Sequence, residues 1–214
     1  MKLGPRHEAA KQALSGDRET VTILYGKAGT GKTYTSLEAA VEWLGGNLES
    51  TKKNGKKKII FIRPNEPFAR SIGYLKGTEE EKMRPWVAPV LDSLTAMGYE
   101  DPFIMDAISR GVIQVVPLEF IQGRTFHDSF IIMDEAQNAT YEQQWMVMTR
   151  VGRWSKLVYC GDTAQVSDSV KHSGFHSLIK NCEDLNVNMV KFLEEDNMRG
   201  PISKMGLTLS EMEH

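Results

Sequence analysis

The chain has 214 residues, and its 26 basic and 28 acidic side chains give a formal net charge of -2, which excludes a basic nucleic-acid coat and an acidic tail. At 41% hydrophobic and 25% charged it has the make-up of a folded globular protein, long enough to bury about 70% of its unfolded surface without staples. Apolar runs such as Phe130 to Met133 fall far short of the roughly 20 residues that cross a bilayer, and no signal peptide precedes Cys160 or Cys182, so a cytoplasmic protein with reduced thiols, no membrane partner and no repeats is expected.

Thr22 to Tyr25 is a β-branched and aromatic run that reads as a strand, and after a glycine-rich turn Thr33 to Leu44 carries helical spacing. The lysines from Lys52 to Lys58 surround Asn54-Gly55 and predict a solvated loop. Ile59 to Ile62 is a second strand, closed by Pro64. Glu79 to Met97 is helical, with breaks expected at Pro85 and Pro89, and a short helix from Phe103 to Ser109 stops at Gly111. Val112 to Val116, Phe130 to Met133, Leu157 to Cys160 and Val187 to Phe192 are four more strands. A helix over Tyr141 to Arg150 separates the middle two, and its Trp145, Met146 and Met148 read as packing residues. Strands that are apolar on both sides, alternating with helices, predict an α/β fold: a mainly parallel sheet with helices on both faces, and ligands beyond the carboxyl ends of the strands.

Gly26-Lys27-Ala28-Gly29-Thr30-Gly31-Lys32-Thr33 follows the first strand and opens the first helix, as a Walker A phosphate loop must. Its glycines let backbone N–H groups turn inward onto a β-phosphate at a helix N-terminus. Lys32 brings a point charge to the β- and γ-phosphates, and Thr33 offers a hydroxyl to Mg²⁺. The nucleotide-binding set is these eight residues with Tyr34, and the ligands are ATP and Mg²⁺.

Phe130 to Met133 delivers Asp134 and Glu135 at its end, the Walker B arrangement, with Asp134 on the metal and Glu135 activating the attacking water. Gly161-Asp162-Thr163-Ala164-Gln165 follows the strand ending at Cys160, and Gln165 is placed to sense the γ-phosphate. His172 and His176 stand four apart with no third ligand nearby and read as surface residues.

These three motifs, in this order, resemble the nucleotide-binding half of superfamily one helicases. Ile62-Arg63-Pro64, Gly73 to Gly77, Gln122 to Thr125, Asp134 to Thr140, Thr149 to Gly152, Cys160 to Val166 and Asp196-Asn197-Met198-Arg199-Gly200-Pro201 narrow the match to PhoH-like ATPases over about residues 5 to 213. The resemblance implies that residues 1–214 form a single RecA-like P-loop NTPase domain that hydrolyses ATP. It also implies a homo-oligomeric ring, six subunits favoured, that couples turnover to single-stranded RNA or DNA. Arg199 matches a family arginine and is a candidate finger toward a neighbouring subunit, the alternative being a surface salt bridge to Glu194, Glu195 or Asp196; Arg63, directly after a strand on the phosphate rim, is a second phosphate contact or a nucleic-acid contact, and Arg124 and Arg150 also fall at family positions, with loop bracing through carboxylates the alternative for each. Relatives commonly place an adenine-reading glutamine upstream of the phosphate loop, where this chain has His7, with Gln12 farther along. Larger relatives add a nucleic-acid-binding or nuclease region, for which this chain has no room, so partners are expected to supply such activities. An ATPase acting on proteins and a small-acceptor phosphotransferase stay open as alternatives, the second disfavoured because no arginine-rich lid follows Glu135.

Overall fold

A computed structural model describes residues 3–16, 19–48, 57–64, 79–163, 173–185 and 187–212. In chain order the elements are α1 (Pro5–Leu14), β1 (Val21–Gly26), α2 (Lys32–Trp43), β2 (Lys58–Arg63), α3 (Glu79–Ala96), α4 (Asp101–Ser109), β3 (Ile113–Pro117), β4 (Ser129–Met133), α5 (Tyr141–Met148), β5 (Lys156–Gly161), α6 (Phe175–Cys182), β6 (Asn188–Phe192) and α7 (Pro201–Met212). The strands form one sheet in the order β3-β2-β4-β5-β1-β6, and every neighbouring pair is parallel, as expected.

Alternate side chains of each strand enter opposite cores. Leu24, Phe61, Phe130, Ile132 and Val158 pack with α1, α2, α3 and α4, while Ile23, Ile60, Ile131, Met133 and Tyr159 pack with α5 and α6. Both faces are therefore apolar, and the phosphate loop and the acidic strand end are left at the carboxyl rim.

Three local expectations are corrected. Pro85 and Pro89 do not break α3. They stand four apart, so both missing N–H groups fall on one stripe, while Val87, Val90 and Leu94 hold the opposite stripe in the core. Trp145 is half exposed rather than packed, although Met146 and Met148 do pack on the core of the α5 face. Lys58 opens β2, and Lys57 stands over the Trp43 ring at 4.4 Å, so the described end of the lysine run is not a free loop; residues 49–56 lie outside the described residues. Among the described residues no helix is long and apolar enough to cross a membrane.

Candidate nucleotide and metal site

The phosphate loop leaves β1 at Gly26 and enters α2 at Lys32. Gly26 has φ 135°, and a Cβ there would lie 2.1 Å from the Phe192 carbonyl oxygen on β6. Gly31, with φ 79°, caps α2 in the left-handed region, and its missing Cβ would meet the Met198 sulfur at 2.1 Å. The chain past β6 is thus laid directly on the loop, and the Met198 N–H donates to the Gly29 carbonyl at 2.9 Å.

Lys32 is nearly buried, and its Nζ donates to the carbonyls of Gly26 at 2.6 Å and Lys27 at 2.8 Å. Burial lowers its pKa, while the nearby Asp162, Cys160, Glu135 and Asp134 act in the opposite direction. Thr33 donates its hydroxyl to Asp134 Oδ1 at 2.7 Å across 101 residues of sequence, joining the two motifs. Asp134 is buried, and its carboxyl is pushed up to about 6 by desolvation and then by the Glu135 charge, against the pull of the Thr33 hydroxyl and Arg63. A hydroxyl and a carboxylate side by side are hard oxygen donors, the kind that hold Mg²⁺ alongside phosphate oxygens. Among the described residues no cluster of three or more His, Cys, Asp or Glu offers a different metal site.

Glu135 follows in the left-handed region at φ 51°, which turns its side chain off the strand line. Its Oε2 accepts from Gln137 Nε2 at 2.6 Å, and Arg63 Nη2 stands 3.6 Å from its Oε1. Gln137 in turn accepts from the Asp162 N–H at 2.9 Å, so one amide couples the acidic motif to the motif after β5. A cleft of about 260 Å³ gathers Ala28, Gly29, Gly31, Lys32, Thr33, Tyr34, Asp134, Glu135, Asp162 and Arg199.

A family profile described as PhoH-like protein matches residues 3–209. The chain belongs to the PhoH-like family. It is 42% identical over 161 residues to Protein PhoH2 of Bacillus subtilis, covering 74% of this chain and 35% of that protein. It is 39% identical over 170 residues to a PhoH-like protein of Mycobacterium tuberculosis (79% of this chain, 46% of the relative), and 37% identical over 187 residues to Protein PhoH2 of Mycolicibacterium smegmatis (83% and 41%). The chain therefore spans less than half the length of these curated relatives. The family consists of P-loop NTPases related to the RecA-like domain, which agrees with the sheet order and the loop geometry.

Not every family position reaches the cleft. His7, at the expected glutamine position, is buried with both ring nitrogens engaged: Nδ1 accepts from the Gly4 N–H at 3.1 Å, so Nε2–H is the donor to the Thr30 carbonyl at 2.9 Å. It braces the phosphate loop from α1, edge-on to Phe192. Arg124 donates to Gln114 Oε1 at 2.9 Å and lies over Phe126, which braces its loop, Arg150 turns onto the adjacent Thr149, and neither lines the cleft. Lys27 pairs with Glu194 at 3.0 Å. Arg199 stands on its own loop, its Cδ 3.0 Å from where a Gly29 Cβ would lie. Gln165 and His172 lie outside the described residues, and His176 is exposed. Sequence reasoning missed Asp162 and Ser93 as cleft residues and Gln137 as the buried amide that holds Glu135; Gln137 and Asp162 sit inside recognised motifs, whereas Ser93 on α3 carries no signal of its own.

Proposed function

We propose that residues 1–214 act as one RecA-like unit that hydrolyses ATP with Mg²⁺. The observation that carries this reading is the 2.7 Å contact of Thr33 with Asp134 in a cleft that Lys32 and Glu135 also line. The Gly29 and Gly31 amides and the Lys32 ammonium take the β- and γ-phosphates, and Thr33 and Asp134 hold the metal. Mg²⁺, when bound, neutralises charge on the β- and γ-oxygens. Glu135 orients a water and accepts its proton as the water oxygen bonds to the γ-phosphorus. The bond from that phosphorus to the bridging oxygen breaks, and the electron pair leaves on ADP. Gln165, in the motif that follows β5 in sequence, is proposed to report the γ-phosphate.

Arg199 is proposed to stabilise γ-phosphate charge. Its stem over Gly29 supports service to its own chain's nucleotide, whereas the family resemblance implied a neighbour's. Mixing Arg199→Ala with Glu135→Gln subunits decides between them: inactive mixtures, shown to co-assemble, are expected, and recovered turnover would move the finger across an interface.

Coupling to single-stranded RNA or DNA in a homo-oligomeric ring, with six subunits favoured by family resemblance, is the proposed working form in the cytoplasm. One sheet supplies one lobe, and in such a ring another copy would supply the second lobe that grips a nucleic-acid strand. Ile202 and Met205 are 85% and 65% exposed on α7, just after Arg199, which supports an interface beside the nucleotide. ATP turnover with and without single-stranded RNA and DNA tests the coupling. Stimulation that falls steeply as salt rises is expected; turnover indifferent to both polymers would leave proteins as the substrate.

A further inference from the structure

Glu135 is held from two sides, and one of the holders lies outside its own motif. Gln137, two residues on, donates to Oε2. Arg63 comes from the end of β2, the strand beside β4, where the Asp134 N–H donates to the Ile62 carbonyl at 2.9 Å. Its Nη2 stands 3.6 Å from Glu135 Oε1, an ion pair longer than a well-made hydrogen bond, and both side chains reach solvent, at 20% and 37% exposure. A carboxylate that takes a proton from water must offer that water a lone pair, and a guanidinium at its oxygen draws on the same electrons. An anion with better bidentate geometry takes the guanidinium instead.

The rim around Arg63 says which anion. The Arg63 Cα is in register with Pro117 of β3. Three residues past Pro117, Phe120 is 68% exposed on the short turn Leu118–Phe120. A guanidinium and an exposed ring on one rim suit a single-stranded nucleic acid, whose phosphates meet the cation and whose bases stack on the ring. An anionic polymer without bases has no use for the ring.

We propose that Arg63 is a positioning residue that holds Glu135 back, and that the phosphate backbone of a single-stranded nucleic acid along the β2–β3 rim draws Arg63 away and frees Glu135 for water. This rests on the ATPase reading and names its regulation. The competition is reciprocal, so removing the Glu135 charge leaves Arg63 to the strand.

Binding of a labelled single-stranded oligonucleotide by fluorescence anisotropy, for wild type, Glu135→Gln, Arg63→Ala and the double variant, reads this without any turnover. Glu135→Gln is expected to tighten binding by about two- to fivefold, the scale of one partly exposed ion pair. Arg63→Ala is expected to weaken binding, to lower the salt slope by about one, and to abolish the Glu135→Gln gain. Arg63→Ala is also expected to raise turnover without nucleic acid by about the same factor, at unchanged KM for ATP, and to lose stimulation. Phe120→Ala is expected to weaken the oligonucleotide and leave binding of inorganic polyphosphate unchanged. A Glu135→Gln gain that survives in Arg63→Ala, or an Arg63→Ala enzyme no faster than wild type, overturns the restraint. Oligonucleotide binding by neither wild type nor any of the three variants overturns the release step. Wild type without Mg²⁺-dependent turnover refutes the ATPase reading instead, and the binding cycle still judges the competition.

Discussion

Glu135→Gln is expected to bind ATP and Mg²⁺ as wild type does and to hydrolyse ATP about 10²- to 10³-fold more slowly, accumulating the ATP-bound form. The geometry separates the roles. Asp134 keeps its hydrogen bond from Thr33, and Lys32 keeps its place in the loop, so the groups proposed to hold phosphate and metal are untouched. A glutamine carbonyl can still accept from Gln137, which holds the side chain near its native position. What is lost is the oxygen that takes a proton. Retained nucleotide, analysed after rapid desalting, should be ATP in the variant and ADP in wild type. Loss of ATP binding as complete as in Lys32→Ala would make Glu135 a ligand rather than the base.

Lys32→Ala is expected to lower turnover by at least about 100-fold through loss of the charge at the β- and γ-phosphates. The fold should persist, because the sheet and both cores are built without this side chain. The loop itself loses the donor to the Gly26 and Lys27 carbonyls, so ATP affinity should fall with the rate. Circular dichroism of wild-type shape beside near-normal phosphate release would remove the phosphate-loop reading.

Both variants come from motifs that were legible because they are contiguous. Gly26 to Thr33 states its own turn, and Asp134-Glu135 ends a strand apolar on both sides. The parallel sheet was legible for the same reason. The neighbours of the motifs were not. Arg63 meets Glu135 because β2 lies beside β4, an order that chain position does not encode. Gln137 reaches the Asp162 amide, and His7 the Thr30 carbonyl, across gaps of 25 and 23 residues that no local pattern announces. Among the helices, α1 and α7 were not anticipated; for α1 only Ala10 and Leu14 mark the apolar face, although Pro5 at its first turn is a start signal. The prolines of α3 misled because a helix held by packing on its other side tolerates them.

The central claim is that this cleft splits ATP with a metal held by Thr33 and Asp134. The most direct test is phosphate release from ATP by the purified wild-type chain, with Mg²⁺ and with excess EDTA, beside Lys32→Ala from an identical preparation. The account predicts release that needs Mg²⁺ and is lost in Lys32→Ala. Release that persists in EDTA, or that Lys32→Ala matches, would contradict it.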